Sequence, residues 1–217
     1  VRHQAFIGEV NFEYQPGQKF IQYPRSRMPL GSKYPTFSFR YQKGFSNIFG
    51  SDADFDKWNF AIEDDANFKL AGQFKYRVDI GGFLNNNAVY VQDYRHFNGN
   101  QTIFASKYLN SFQAAPYYAN STTASFYATA HVEHHFNGFL TNKIPLFKKL
   151  NWNLVVVGNA FYVNGDNNYY EVSAGLENIL KTFRFDVVGS YLNGQNGQVA
   201  FRIGFGGLLG GKIRIND

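Results

Sequence analysis

Thr123–Phe136 reads TASFYATAHVEHHF, and its alternation sets the fold class. Thr123, Ser125, Tyr127, Thr129, His131, Glu133 and His135 fall on one side of an extended chain. Ala124, Phe126, Ala128, Ala130, Val132, His134 and Phe136 fall on the other. Successive side chains of a strand point to opposite faces, so this period of two describes a β-strand with one polar and one mostly apolar face.

The same pattern extends in both directions from this segment. Phe37, Phe39 and Tyr41 alternate with Thr36, Ser38, Arg40 and Gln42, and Trp58, Phe60 and Ile62 with Lys57, Asn59 and Glu63. Phe74, Tyr76, Val78 and Ile80 alternate with Gln73, Lys75, Arg77 and Asp79. Tyr170, Val172, Ala174 and Leu176 alternate with Glu171, Ser173 and Glu177, and Phe183, Phe185, Val187 and Tyr191 with Arg184, Asp186 and Ser190. Val199, Phe201, Ile203 and Phe205 alternate with Arg202, Gly204 and Gly206. Phe6–Tyr14 places Glu9, Asn11 and Glu13 on its polar side, and Asn151–Val163 is less clean because Val155 and Val157 interrupt its polar row. The reading is nine strands, with Ala88–Tyr94 a candidate tenth.

Turn chemistry fits antiparallel strands. Asn164-Gly165-Asp166-Asn167, Asn193–Gly197 and Leu180-Lys181 are tight connections; Pro16–Lys33, Phe97–Thr122 and Asn137–Leu150 are longer, the last with a short amphipathic turn at Ile144–Leu150. No linker appears, so residues 1–217 read as one domain. The opening Val1-Arg2-His3 has neither an initiator Met nor a signal peptide and reads as a processed or truncated end.

Composition narrows the class. Charged residues make up 17% and aromatics 19% of the 217 residues, the reverse of the bias that leaves chains disordered. No run of 18 apolar residues exists, so no transmembrane helix is expected. The chain has no Cys, which excludes disulfides, Cys-based zinc sites and thiol catalysis. Its net charge of +5 comes from scattered cations, with Lys148-Lys149 the densest pair, and no basic stripe points to nucleic acid.

Half-apolar strands suit two environments: a soluble barrel or sandwich buries the apolar row, while a membrane barrel turns it to lipid and its polar row to a lumen. Three features favour lipid. The strands match the roughly 9–11 residues that cross a bilayer when tilted. Charges of both signs sit on neighbouring polar rows, as with Glu171, Glu177, Arg184, Asp186 and Arg202. Aromatics gather near strand ends, as at Tyr14, Trp152, Tyr162, Tyr169, Tyr170 and Tyr191, like an interfacial girdle. A soluble ligand-binding barrel remains the alternative.

The stretches AHVEHHFNGFLTNKIPLFKKLNWNLVVVGNAFYV, YYEVSAGLENILKTFRFDVVGSY and GQVAFRIGFGG, with the earlier GSKYPTFSFRYQKGF, GSDADFDKW and DYRHFNGNQTIF, cover most of the chain. They resemble a Gram-negative outer-membrane family that joins a carboxypeptidase-regulatory-like domain to a C-terminal barrel similar to the surface-antigen superfamily of insertases and secretion transporters. The resemblance implies an all-β, antiparallel transmembrane barrel of sixteen strands, of which this chain is the C-terminal portion. On this resemblance Phe97–Thr122 would take the place of the long sixth extracellular loop, followed by five strands, and the C-terminus is expected to be periplasmic. Nine strands cannot close such a barrel, so a missing N-terminal half or a partner chain is expected. The superfamily's Arg-Gly-aromatic loop tip is absent; Arg95, before His96-Phe97-Asn98-Gly99, is the nearest candidate. A polar tail, Leu208–Asp217, follows the aromatic end of the last strand.

The expected lumen-lining residues are Arg40, Arg77, Asp79, His131, Glu133, His135, Glu171, Glu177, Arg184, Asp186 and Arg202, and the last-strand seam is Val199, Phe201, Ile203 and Phe205. Gly204, Gly206 and Gly207 read as weakening pairing there. His131, Glu133 and His135 are metal-ligand types, but strand positions i and i+4 lie too far apart to share one ion. Glu63, Asp64 and Asp65 read as solvated charge at a strand end. No nucleophile elbow or phosphate loop is present, so neither catalytic residue, cofactor nor metal is expected. The expected partners are outer-membrane lipid and other envelope proteins. The expected role is assembly, insertion or translocation of envelope proteins, with a passive channel or scaffold as the alternative.

Overall fold

The computed structural model describes residues 3–118, 120–165, 168–193 and 197–205. The fold is an antiparallel sheet of nine strands with a separate two-stranded hairpin. The strands are β1 (Ile7–Tyr14), β2 (Lys19–Gln22), β3 (Arg27–Gly31), β4 (Thr36–Gly44), β5 (Asp54–Asn67), β6 (Gln73–Ala88), β7 (Tyr127–His135), β8 (Asn153–Val163), β9 (Asn168–Ile179), β10 (Phe183–Leu192) and β11 (Gln198–Phe205). Sheet order is β1-β4-β5-β6-β7-β8-β9-β10-β11, so every strand pairs with its neighbours in the sequence apart from the excursion through β2 and β3. One short helix, α1 (Pro145–Leu150), precedes β8.

The nine long segments anticipated from alternation are the nine strands of this sheet. The sheet does not close, and β1 and β11 are its edges. Ala88–Tyr94 is not a tenth strand: Ala88 ends β6, and Val91–Asp93 forms a 3-10 turn. Pro16–Lys33 is more ordered than a loop, because it contains the β2–β3 hairpin. β7 starts only at Tyr127; just upstream the chain still bonds both neighbours, the Ala124 carbonyl accepting the Phe83 N–H and the Phe126 carbonyl the Asn164 N–H, both at 3.1 Å. The Leu208–Asp217 tail and Gly206-Gly207 lie outside the described residues.

Burial follows the alternation with an unusual sign. Along β9, Glu171 and Ser173 are buried, while Tyr170 and Val172 on the opposite face are exposed. Along β10, Arg184, Asp186, Val188 and Ser190 are buried, while Phe185, Val187 and Tyr191 are exposed. In β11 Arg202 is buried, whereas Phe201 and Val199 on the opposite face are 67% and 70% exposed. At the far edge Val10, Phe12 and Tyr14 are also exposed. In water, the hydrophobic effect would favour the inverse arrangement.

Candidate functional site

What lies on the polar face explains its burial. The connection between β6 and β7 folds back across β7–β11 and is fastened there by hydrogen bonds and rings. Glu171 is the main anchor. Its carboxylate accepts the backbone N–H of Gln113 at 2.6 Å and of Ala114 at 2.9 Å, together with Asn159 Nδ2 at 2.7 Å and the Tyr169 hydroxyl at 2.6 Å. Charge-assisted bonds of this kind are roughly twice as strong as neutral ones. Arg202 donates from Nε to the Gln113 carbonyl at 2.5 Å and from Nη2 to the Asn100 carbonyl at 3.2 Å. The Tyr108 hydroxyl donates to Asp186 at 2.6 Å, and the Arg184 guanidinium lies 3.7 Å from the Tyr108 ring centroid. Burial raises the pKa of that hydroxyl well above the ordinary phenol value, which keeps it a donor.

Aromatic packing completes the seat. Phe97 stacks on Phe161 at 4.4 Å, Phe161 on Tyr169 at 5.3 Å, and Phe112 meets both Phe161 and Tyr169 edge-on. Such pairs add about 0.5–1.5 kcal/mol each beyond the area they bury. Tyr127, the first residue of β7, is fully buried against the Phe97 ring.

Beneath the loop the charges are paired. Arg184 holds Asp186 through Nε and Nη2 at 2.9 Å, and reaches Glu133 on β7 through Nη1. His135 lies 3.3 Å from Glu133 and 3.0 Å from Glu177. His131 bonds Asn159 at 2.8 Å and packs on Phe112 at 4.9 Å. Among the described residues no group of three or more His, Asp or Glu side chains forms a metal-holding arrangement. On β6, Arg77 pairs with Asp79 at 2.9 Å and with Glu63 at 2.8 Å. Glu63, Asp64 and Asp65 are therefore not free charge at a strand end: all three are ladder residues of β5, and Gln73 donates to Asp65 at 2.6 Å.

Toward β1 the loop no longer covers the face. Arg40 is exposed and lies 3.4 Å from Glu9. Arg40, Lys57, Asn59, Arg95 and Tyr127 line a pocket beside the base of the loop. Lys57 donates there to the Asp93 and Tyr94 carbonyls. Arg95, the candidate loop tip, lies at the base of the connection beside this pocket. Its backbone pairs with Thr122, its guanidinium lies 5.1 Å from the Tyr127 ring centroid, and no ion pair holds it among the described residues.

The seam is altered as well. In β11, Ile203 turns its backbone away from β10 and toward the loop: its N–H donates to Ile103 and its carbonyl accepts from Ala105, both at 2.8 Å. Phe104 thus forms a parallel bridge with Ile203, and the edge is occupied at this point. Gly204 has a different purpose from the loosening expected of it. A Cβ at this position would sit 2.6 Å from the Tyr108 hydroxyl, so the glycine makes room for the loop. Gly175 likewise leaves space for the Asp186 carboxylate. Replacing Gly204 with Leu is expected to dislodge Tyr108 and cost about 1–3 kcal/mol by overpacking, read as a lower denaturant midpoint and new protease access within 100–118.

The residues that sequence reasoning missed are those of the loop: Asn100, Tyr108, Phe112 and Gln113. The available signal was the small residues, Gly175 and Gly204, on otherwise polar rows.

These features define a class: an all-β antiparallel sheet whose ionisable face is covered by its own long connection and whose apolar face is bare. The chain belongs to the family of unknown function DUF5686, whose C-terminal domain model matches residues 1–176. No curated protein matches the chain.

Proposed function

We propose that this chain is the C-terminal portion of a transmembrane β-barrel in the outer membrane of a Gram-negative bacterium. The proposed role is assembly, insertion or translocation of envelope proteins, either directly or as the barrel subunit of an envelope complex. One observation carries the membrane reading: ionisable side chains are buried on one face of the sheet while Phe, Tyr and Val are exposed on the other. A contiguous apolar face of this extent is a lipid or protein contact surface. Strand lengths agree, with 14 residues in β5, 12 in β9 and 10 in β10 against the roughly 9–11 a tilted span requires. A soluble ligand-binding barrel would also bury Phe185, Tyr191 and Phe201, which are exposed here.

The role in assembly rests on the likeness to the carboxypeptidase-regulatory and surface-antigen barrels and on the two sheet edges. An open edge is a template for another strand. β1, exposed on both faces, is where missing N-terminal strands or a partner chain would pair. At β11 an incoming strand would have to displace Ile103–Ala105. The covering of β7–β11 favours a closed scaffold over an open conduit, which is the second reading.

Two measurements separate these. Val187→Arg, in mid-strand on the exposed face, is expected to cost about 2–4 kcal/mol if that face meets the bilayer centre. It would then lower the folding equilibrium constant in vesicles more than tenfold. A change within about 0.5 kcal/mol, as at an ordinary wet surface, would overturn the membrane reading. A photo-crosslinker at Phe201 is expected to capture newly made outer-membrane barrels; capture of only this chain's own loop or first strand would leave the scaffold reading.

A further inference from the structure

We infer that one rim of the sheet is a docking surface for the headgroup layer of an anionic phospholipid leaflet. The register of the ladders brings four connections to the same end: residues 15–35, 68–72, 137–152 and 180–182. The first carries Lys19, Arg25, Arg27 and Lys33, and the second Lys69. The third carries Lys143, Lys148 and Lys149, and the last Lys181. These are nine of the chain's 21 Lys and Arg residues, and not one of its 16 Asp and Glu residues falls in the four segments. The connections at the other end are mixed among the described residues, with Asp52 and Asp93 against Arg95 and Lys107. Apart from Lys19, none of the nine cations is ion-paired among the described residues, whereas the cations of the polar face are paired with carboxylates at Arg77 and Arg184.

Large apolar side chains stand among these cations. Leu70 is 86% and Leu180 is 80% exposed, and Phe68, Phe139, Leu146 and Met28 are more than half or about half exposed. Cation and aromatic ring are adjacent twice: the Arg27 guanidinium is 3.9 Å from the Phe20 centroid, and Lys143 Nζ is 5.3 Å from that of Phe139. A free phosphate would need the cations alone. The interleaved Leu, Phe and Met select a surface where acyl chains begin directly beneath the phosphates, and Lys and Arg stems suit that boundary because they lie along apolar matter with the charge outward. The inference rests on the membrane reading for the position of this rim at the bilayer edge, but its test stands apart from that reading.

The full chain would be presented to vesicles of phosphatidylcholine alone and of phosphatidylcholine with phosphatidylglycerol at three to one, at low salt. Bound protein is read by flotation, and strand insertion separately by protease protection. Binding is expected to be at least about tenfold stronger on the anionic vesicles and to fall as salt screens it. The K143Q/K148Q/K149Q variant should lose at least about tenfold of that preference, and R25Q/R27Q a smaller share. This result supports the rim whether or not the strands become protected; a lack of protection on either vesicle counts against the membrane reading alone. Equal binding to both vesicles, variants that keep the full preference, or competition by inorganic phosphate beyond that of sodium chloride at matched ionic strength would each overturn the inference. The first outcome would leave an acidic protein as the rim's partner, and the third a free phosphate.

Discussion

Arg184→Ala is expected to be among the most damaging single substitutions in this chain, with a loss of about 3–5 kcal/mol. That is the range for removing one partner of a buried charge network. Arg184 is 3% exposed and binds two carboxylates, Asp186 in its own strand and Glu133 on β7. Glu133 is 5% and Asp186 2% exposed, so neither carboxylate can recover its lost partner by turning to water. Glu133 would keep His135, while Asp186 would keep only the Tyr108 hydroxyl among the described residues. The loop suffers too, because the Tyr108 ring loses the guanidinium stacked on it. Arg184→Lys should recover only part of the loss, since one ammonium cannot reproduce the planar fork that spans both carboxylates. The measurement is urea unfolding in detergent micelles followed by far-ultraviolet circular dichroism. A loss below about 1 kcal/mol would mean that the network is open to water and that the polar face is not sealed by the loop.

Alternation made the sheet legible because nine strands share a single physical constraint, two faces with different surroundings. Where that constraint lapses, the sequence loses its signal. β2 and β3 are short, mostly exposed on both faces and interrupted by Pro29, so neither row is selected for polarity. β6 continues eight residues past Ile80 through Gly81-Gly82 and Asn85–Asn87. Gly81 breaks the alternation because a Cβ there would lie 2.5 Å from both the Trp58 carbonyl and the Tyr127 hydroxyl. Val155 and Val157 looked like errors in a polar row; both are buried on the inner side, where β8 runs beside His135 and Glu133.

The charged residues expected on one face do share it, but their arrangement could not be read from the strands. Burial of Glu171, Asp186 and Arg202 depends on a connection whose Asn, Ser and Tyr content resembles that of any exposed loop. Its partners are backbone groups at Asn100, Gln113 and Ala114, which carry no sequence signature. The same connection occupies the β11 edge at Ile203, so the feature that fills the polar face also guards the seam. Release of the loop therefore would expose both at once, which is why the anchor that holds it is the decisive residue to test.

Glu171→Ala is expected to release the loop while leaving the ladder intact. The substitution removes the acceptor for four donors, two of them backbone N–H groups of Gln113 and Ala114 that no side-chain change can silence. A buried donor left unsatisfied costs about 1–3 kcal/mol, so the seated state loses about 3 kcal/mol or more before any relaxation. The loop can escape that cost by lifting into water. Doing so gives up the two Arg202 bonds and the Phe112 ring contacts, but it rehydrates every orphaned donor. Glu171→Gln should fall between, because its amide keeps one acceptor oxygen and turns an NH2 toward donors. The expected result is rapid tryptic cleavage at Lys107 in the Ala variant, slower cleavage in the Gln variant and resistance in the parent chain, with unchanged strand content by circular dichroism. Lifting of Ile103–Ala105 should also increase crosslinking from Phe201 to other strands. If Lys107 stays protected in the Ala variant, the rings and Tyr108 alone hold the loop, and the seam is guarded by packing rather than by the Glu171 carboxylate.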